Sequence, residues 1–571
     1  MIKKCTRKFM LYAASGAIIA LSADIMAEGV QAQERLASVT YNSTIIKPMS
    51  NFAEAIQLNF EIPALKSVVE DYDSLVSFYQ ARANEPFWVS RSGMNSNAKE
   101  LVHLLEKSWT HGLNPYLYNL DKIRGLADAR TTERKAALDI LLSDAYYRYM
   151  KDLSGIRVDP KGLRTNISYW KQPLSAAALF GLLNDVDDVE DIAYKVAPKG
   201  RTYAKIRAEL QDVVMRPAPN YETLLPININ GLLRPGDRSD AIPHLRARLS
   251  VEQKGEDALF YDAELARAVT RFQRESGVKP DAIIGRQTLE LLNVTRDDKI
   301  KQLIANLERL RWVDDYKPNK FIVVNIPSAT LWAVDKGQVS FEMPVIVGKS
   351  KRPTNMFITE IHGVRFNPNW TVPKTIKEKD ILPELIKNPA YLTDKDMELI
   401  MGQGADAVSI DPTSIDWSSM SKSDLKYFNM VQSPGSNNPL GRYRVLMPNP
   451  YNIYLHDTNS PEYFEKASRA LSSGCIRMKD PARVADFIMH SNEDWSEDVM
   501  QQTLNKGKMR DLYIQQTIPV YLLYYTVWMN ESEEIVYGRD LYRHDQTLFN
   551  LLSELDGIFI PVDNNGNINP I

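Results

Sequence analysis

Cysteine is nearly missing: the 571 residues hold two, Cys5 and Cys475. Cys5 falls in a leader-like stretch, so the remainder carries one thiol. That excludes an intrachain disulfide and a cysteine-rich zinc site. Histidine is scarce as well, with seven residues, scattered and without a His-Glu-x-x-His pair; no metal and no other cofactor is expected. Neither sign of charge dominates, with 69 Lys and Arg against 72 Asp and Glu and a formal charge of −3. This gives no electrostatic case for nucleic acid, and no aromatic-basic platform accompanies it. Long apolar runs are missing beyond the first two dozen residues.

What is present begins with that run. Lys3, Lys4, Arg7 and Lys8 precede an apolar stretch over 9–21, and Val30-Gln31-Ala32 offers a small-x-small cleavage site. Residues 1–32 therefore read as a secretory signal. Asp24 and Glu28 leave the stretch short for a membrane span, and Cys5 has no lipobox around it. The expectation is an exported protein, with cleavage or retention of the leader left open. A single unpaired thiol in such a protein favours a reactive role.

At 44% hydrophobic and 25% charged residues, the chain is globular and long enough for three or four domains. Residues 45–228 read as a helical scaffold. Val68, Tyr72, Leu75, Phe78 and Tyr79 recur at near-helical spacing, as do Leu138, Ile140, Leu141, Ala145 and Tyr146. No chemistry stands out there. Residues 229–295 change character, with a turn at 233–240, a helix marked by Ile242, Leu245 and Leu249, and a second over 261–273 with Asp262 as N-cap. A third helix runs from Thr288 to Leu292. From residue 299 to 550 a helix leads into strands at 321–327, 329–334 and 339–348, with a hairpin at Asp335-Lys336-Gly337. A helical and polar insertion over 374–430 interrupts this β pattern. Insertions of that length in enzymes are often lids, a passive decoration being the alternative. The expected class is multidomain α+β: a mostly β domain carrying a helical insertion, a helical N-terminal scaffold and a small three-helix module.

The chemistry gathers in His456-Asp457-Thr458 and, nineteen positions after the histidine, in Ser472-Ser473-Gly474-Cys475-Ile476-Arg477-Met478. Residues 450–456 read as a strand ending at His456. The small residues before Cys475 let the backbone turn sharply. Imidazole beside a thiol on such a loop supplies a base and a nucleophile, and loop N–H groups can hold an oxyanion. The plain alternative is a small buried cysteine and an ordinary strand-end histidine.

The whole string resembles the signature of the L,D-transpeptidase (YkuD-like) catalytic domain, although many members carry histidine where Ser473 stands. The strands at 321–348, Arg352-Pro353-Thr354 and the closing strand at 518–528 extend the likeness. Residues 232–293 resemble the three-helix peptidoglycan-binding domain through Arg234-Pro235-Gly236-Asp237, Phe272-Gln273 with Gly277, and Ile284-Gly285 with Thr288, Leu289, Leu292 and Asn293. Ala282 stands where glycine is usual and Asp240 departs from a glycine-rich opening, so glycan binding and plain packing both stay open. The larger Gram-negative members carry a capping subdomain where 374–430 lies.

The resemblance implies a periplasmic, cell-wall-associated acyltransferase that needs no cofactor. Cys475 would attack the third-residue carbonyl of a peptidoglycan tetrapeptide stem, usually that of meso-diaminopimelate, and release D-alanine. The amine of a second stem would resolve the thioester into a 3→3 cross-link. His456 would serve as base and acid, with the N–H groups of Gly474 and Cys475 at the oxyanion. A backbone carbonyl in the Asp457-Thr458 segment would orient the imidazole, and Arg477 would hold the loop or a donor carboxylate. Tyr454, Ser473, Trp370 and Tyr443 are candidates to line the substrate. The family likeness also makes the thiol a carbapenem target. The acceptor stays open between a stem peptide, water (an L,D-carboxypeptidase) and an outer-membrane protein's amine. Glycan strands and other cell-wall enzymes are further expected partners. A non-catalytic cell-wall scaffold is the alternative of another class.

Overall fold

The computed structural model describes residues 52–62, 66–185, 188–215, 226–314, 318–402 and 407–555. The expected leader lies outside them. The described chain forms two compact units. One comprises residues up to Leu105 with Tyr116–Tyr149 and Ser175–Ile192; the other comprises Glu106–Pro115, Met150–Leu174 and the residues from Ala193 onward.

The first unit is helical, as the periodicity predicts. Asp71 caps the helix Tyr72–Ala81 by accepting from the Ser74 N–H, and that helix buries Leu75 and Tyr79. The apolar insert at 86–89 is pinned by one buried carboxylate. Asp139 accepts from the N–H groups of Phe87, Trp88 and Val89 and from the Tyr79 hydroxyl. Burial pushes this carboxyl's pKa up, and the four donors oppose the shift.

The second unit is organised by one nine-stranded sheet. Its strands are β1 (Lys320–Asn325), β2 (Thr330–Asp335), β3 (Gln338–Gly348), β4 (Phe357–Phe366), β5 (Tyr443–Leu446), β6 (Leu455–His456), β7 (Ala470–Ser472), β8 (Ile476–Met478) and β9 (Arg510–Leu523). The spatial order is β7-β3-β8-β6-β5-β4-β9-β1-β2, with a further pairing of β3 to β2. The first half of β3 pairs with β2, and its second half pairs with β8 and β7. The long strand thus joins the two ends of the sheet, which curls into a closed, barrel-like ring. Its interior is a core of Ile322, Val324, Leu331, Val345, Phe357, Phe366, Leu455, Ile476, Val520 and their neighbours. The helix Pro481–Met489 begins as the sequence predicts, with Asp480 accepting from the Arg483 N–H and Pro481 in the first turn.

The module at 229–295 has the three expected helices, Ile242–Arg248, Ala263–Glu275 and Arg286–Leu292. Asp262 caps the second at 2.9 Å from the Leu265 N–H. Ala282, at the usual glycine position, has φ +59°, the left-handed conformation that glycine takes without penalty. Asp240 is exposed and its φ is not positive, so glycine has no conformational reason to stand there.

Among the described residues, the insertion's α-helices lie in its first half, at Lys374–Ile376, Leu382–Lys387 and Tyr391–Asp394, and its second half has only the short 3-10 turns Pro412–Ser414 and Asp424–Tyr427. It then builds its own sheet, in the order Trp370–Thr371, Phe428–Gln432, Met397–Met401, Val408–Ile410. Leu382, Leu385, Leu399, Trp417, Phe428 and Met430 close a separate core. The apolar run Met397-Glu398-Leu399-Ile400-Met401, broken only by Glu398, carries no clear period-2 pattern, so nothing in it marks a strand against the helices before it.

Candidate active site

Strand pairing brings the two motifs together. β6 and β8 are parallel neighbours, with Leu455 opposite Ile476 and His456 opposite Arg477. Cys475, one position before β8, therefore lies beside Tyr454. The strand expected over 450–456 is reduced to its last two residues. Asn449 folds the segment before them, its carboxamide oxygen accepting from the Tyr451 and Ile453 N–H groups at 3.1 and 3.2 Å. Asn452 has φ +53°, a conformation asparagine tolerates better than most residues. This turn places the Asn452 carbonyl 3.7 Å from the Cys475 Sγ and directs the Tyr454 N–H at the same sulfur.

His456 is 4% exposed, and its Nδ1 lies 2.5 Å from the Asp457 carbonyl oxygen. A carbonyl only accepts, so Nδ1 carries the hydrogen and the Nε2 lone pair is left available. The orienting group is thus the Asp457 backbone. Its carboxylate is engaged elsewhere, accepting from the Arg442 and Thr458 N–H groups at 2.7 Å each. Gly441 makes room for that carboxylate. With φ +57°, it would place a Cβ 2.3 Å from the Asp457 Cγ.

Burial and the nearby Arg477 charge lower the His456 pKa to about 3, against the Asp457 hydrogen bond. The surroundings of the half-buried Cys475 push its thiol up, opposed by the Tyr454 N–H and by Arg444 and Arg477. The resting pair is a neutral thiol and a neutral imidazole.

The loop that carries Cys475 is tied down by Thr354, which is fully buried. Its hydroxyl donates to the Gly474 carbonyl at 2.8 Å and accepts from the Gly348 N–H at 2.9 Å. Tyr542 adds a bond from its hydroxyl to the Gly348 carbonyl at 2.6 Å. Gly474 has φ +121°, which favours glycine. Its N–H, expected at the oxyanion, donates instead to the Ser472 hydroxyl at 3.1 Å, and that hydroxyl donates to the Cys475 carbonyl at 2.6 Å. In this structure a serine two residues earlier in the same tight loop holds this donor.

Ser473 is exposed, and its hydroxyl accepts from Arg352 at 3.0 Å. The same guanidinium grips Asp380 of the insertion through both terminal nitrogens. One arginine thus joins the insertion to the residue two before Cys475. Tyr454 lies under the Arg444 guanidinium, 3.7 Å from carbon to ring centroid. Trp370 is in the insertion's sheet, opposite Gln432 and against the insertion's core. Tyr443 is corrected to a core residue. It is 7% exposed and edge-on to Phe366, because alternate positions on β5 face opposite ways and Arg444 takes the His456 side. Arg352, Thr354, Asp380 and Arg444 escaped assignment from the sequence. A charged residue in the otherwise apolar run Tyr443–Leu446 was the signal for Arg444.

Residues 319–505 match the family model of the L,D-transpeptidase catalytic domain, and residues 73–210 match that of a scaffold domain. A Haemophilus influenzae protein, provisionally named as an L,D-transpeptidase, is 33% identical over 268 residues, 46% of this chain and 53% of that protein. The chain thus spans about half the length of this curated relative. Among solved structures, an L,D-transpeptidase from Xylanimonas cellulosilytica is 13% identical, covering 52% of this chain and 99% of its own, with a TM-score of 0.17. One from Stackebrandtia nassauensis is 11% identical, covering 52% and 95%, with a TM-score of 0.19.

Proposed function

We propose that this chain, which carries an L,D-transpeptidase catalytic domain over 319–505, exchanges acyl groups on peptidoglycan stem peptides through a thioester on Cys475. The observation that carries the proposal is the locked imidazole: His456 Nδ1 held on the Asp457 carbonyl, on the strand parallel to the one that Cys475 opens.

The resting pair is neutral, so proton transfer accompanies attack. His456 Nε2 takes the Sγ proton as sulfur bonds to the third-residue carbonyl of a tetrapeptide donor. The oxyanion is assigned to the Cys475 N–H, joined by the Gly474 N–H if Ser472 turns away. Collapse of the tetrahedral intermediate breaks the C–N bond, and the imidazolium returns its proton to the departing D-alanine amine. A second stem's side-chain amine then attacks the thioester, gives a proton to His456 and leaves a 3→3 cross-link with the thiol regenerated. Water or a protein amine in the acceptor's place would give carboxypeptidase or anchoring chemistry.

The Asp380–Arg352–Ser473 link supports reading the insertion as a cap over the thioester. A cap that excludes water favours aminolysis, since a held acceptor has a large effective-molarity advantage over solvent. The periplasm is the proposed compartment, and the module at 229–295 is the proposed contact to glycan.

The test is incubation of the full chain with purified disaccharide-tetrapeptide, followed by mass spectrometry of protein and products. The expected result is a Cys475 adduct smaller than the donor by D-alanine, together with cross-linked dimer. Carbapenem should give an adduct on the same thiol. Cys475→Ala, folded and still forming dimer, would overturn the thioester.

A further inference from the structure

Strand register sets five polar side chains in a line across one face of the sheet: Asp511 on β9, Arg365 on β4, Arg444 on β5, His456 on β6 and Arg477 on β8. Directly paired residues on adjacent strands share a face and lie about 5 Å apart. Three cations in such a row repel unless anions intervene. Arg365 has its anion, gripping both Asp511 oxygens at 2.6 and 2.7 Å. Arg444 and Arg477, on either side of the histidine, have no carboxylate in ion-pair contact among the described residues. Each also leaves a buried Nε without a hydrogen-bond partner. The Arg444 plane is held on the Tyr454 ring, and the Arg477 guanidinium reaches the Thr458 hydroxyl at 3.4 Å.

These two guanidiniums, which lack a carboxylate partner, are the ones in the row nearest the nucleophile. Both are half-buried, and a partly desolvated cation with no counter-charge is unfavourable, so a site that keeps two of them is set for an anion from outside. We infer that Arg444, with Arg477 across His456, forms a subsite for a carboxylate of the donor peptide, so that the chain selects donors whose carboxyl group is free. This rests on the proposed function and deepens it. A tetrapeptide stem ending in diaminopimelate and D-alanine offers two such groups, the C-terminal carboxylate and the one on the diaminopimelate side chain. Either is a planar acceptor that suits a guanidinium fork. The competing role for Arg444 is to stabilise the Cys475 thiolate. Thiolate stabilisation acts on every donor equally, and carboxylate recognition does not.

The experiment uses the full chain as wild type, Arg444→Gln and Arg444→Lys. Acylation rate against donor concentration is measured with the free tetrapeptide, its C-terminal amide and its diaminopimelate side-chain amide. The pH dependence of Cys475 alkylation by iodoacetamide, a neutral probe, is recorded alongside. Losing one charge-assisted contact corresponds to about 10–100-fold in kcat/KM. The wild type should lose that factor on one of the two amides, which identifies the carboxylate. Arg444→Gln should lose it on the free acid, mostly in KM, and lose little more on that amide, while Arg444→Lys recovers part. Equal treatment of acid and both amides by the wild type overturns the subsite, even if the variants fail to fold. Equal loss on all donors in Arg444→Gln, with a matching shift of the alkylation profile, overturns it in favour of the thiolate. A wild type that no donor acylates removes the proposed function, and the subsite with it.

Discussion

Replacing Thr354 with valine keeps the shape of a fully buried side chain and deletes the hydroxyl that fixes the Cys475 loop to β3. That hydroxyl serves two backbone groups, the Gly474 carbonyl at 2.8 Å and the Gly348 N–H at 2.9 Å. Neither gains a new partner from a methyl group. The cost of a buried polar group left unpaired is about 1–3 kcal/mol, so two such groups place the loss of stability at about 2–6 kcal/mol. Thr354 is fully buried, and the valine methyl occupies the hydroxyl's place, so no room is left for a water to replace it. The Gly474 carbonyl immediately precedes Cys475, and its release frees the thiol from its place beside Tyr454. Acylation should fall at least about 10-fold, since misplacement of a reacting group by about 1 Å can cost two orders of magnitude. Urea unfolding and the rate of adduct formation by intact mass measure both effects, with Thr354→Ser as the control that keeps the hydroxyl. A valine variant matching the wild type in both assays would refute the role given to this residue.

Gly441→Ala forces a left-handed alanine and a Cβ into the Asp457 carboxyl group. A loss of about 2 kcal/mol or more in urea unfolding is expected, with slowed acylation because the Asp457 carbonyl moves. Ala282→Gly relieves the left-handed φ in the three-helix module and should stabilise the protein by about 1 kcal/mol, read by denaturation. Asp380→Asn removes the charge that joins the insertion to Arg352 and Ser473. The ratio of tripeptide to cross-linked dimer should rise, and an unchanged ratio would reassign the insertion to docking a partner. His456, with its pKa lowered to about 3 by burial and Arg477, stays neutral in the fold while an unfolded histidine protonates below about pH 6.5. The unfolded state then binds the extra proton, so stability should fall as pH drops from about 6.5 towards 3. His456→Gln should flatten that slope in acid-titration unfolding curves.

What could be read along the chain was largely what is local to it. The Asp262 and Asp480 caps were legible because a cap and its helix are neighbours in sequence. Cys475 and His456 stood out because each sits in a short string whose residue types fit one chemistry. Tyr443 was misplaced because an aromatic near the motif gives no sign of which face its strand turns outward, and register decides that. The turn that delivers the Asn452 carbonyl and the Tyr454 N–H to the sulfur was hidden inside what read as a continuous strand. Asn449 and Asn452 were its only markers, and apolar residues between them favoured the strand.

The row of Asp511, Arg365, Arg444, His456 and Arg477 shows why the rest was out of reach. Its members are spread from residue 365 to residue 511 and meet only because five strands pair in one register. The row runs across the sheet, so no window along the chain contains it. Its consequence for chemistry is also collective. One arginine beside a histidine would depress the imidazole pKa; a third arginine neutralised by Asp511 shows that the fold can supply a counter-charge on this face. The sequence supplies it at one end of the row and withholds it on both sides of His456. Burial, helped by these two cations, holds the His456 pKa down, and the same two cations would favour an anionic sulfur on Cys475. Proton transfer from Cys475 to His456 would place a new positive charge between two existing ones. A bound carboxylate would offset that repulsion, coupling occupancy of the donor site to activation of the thiol.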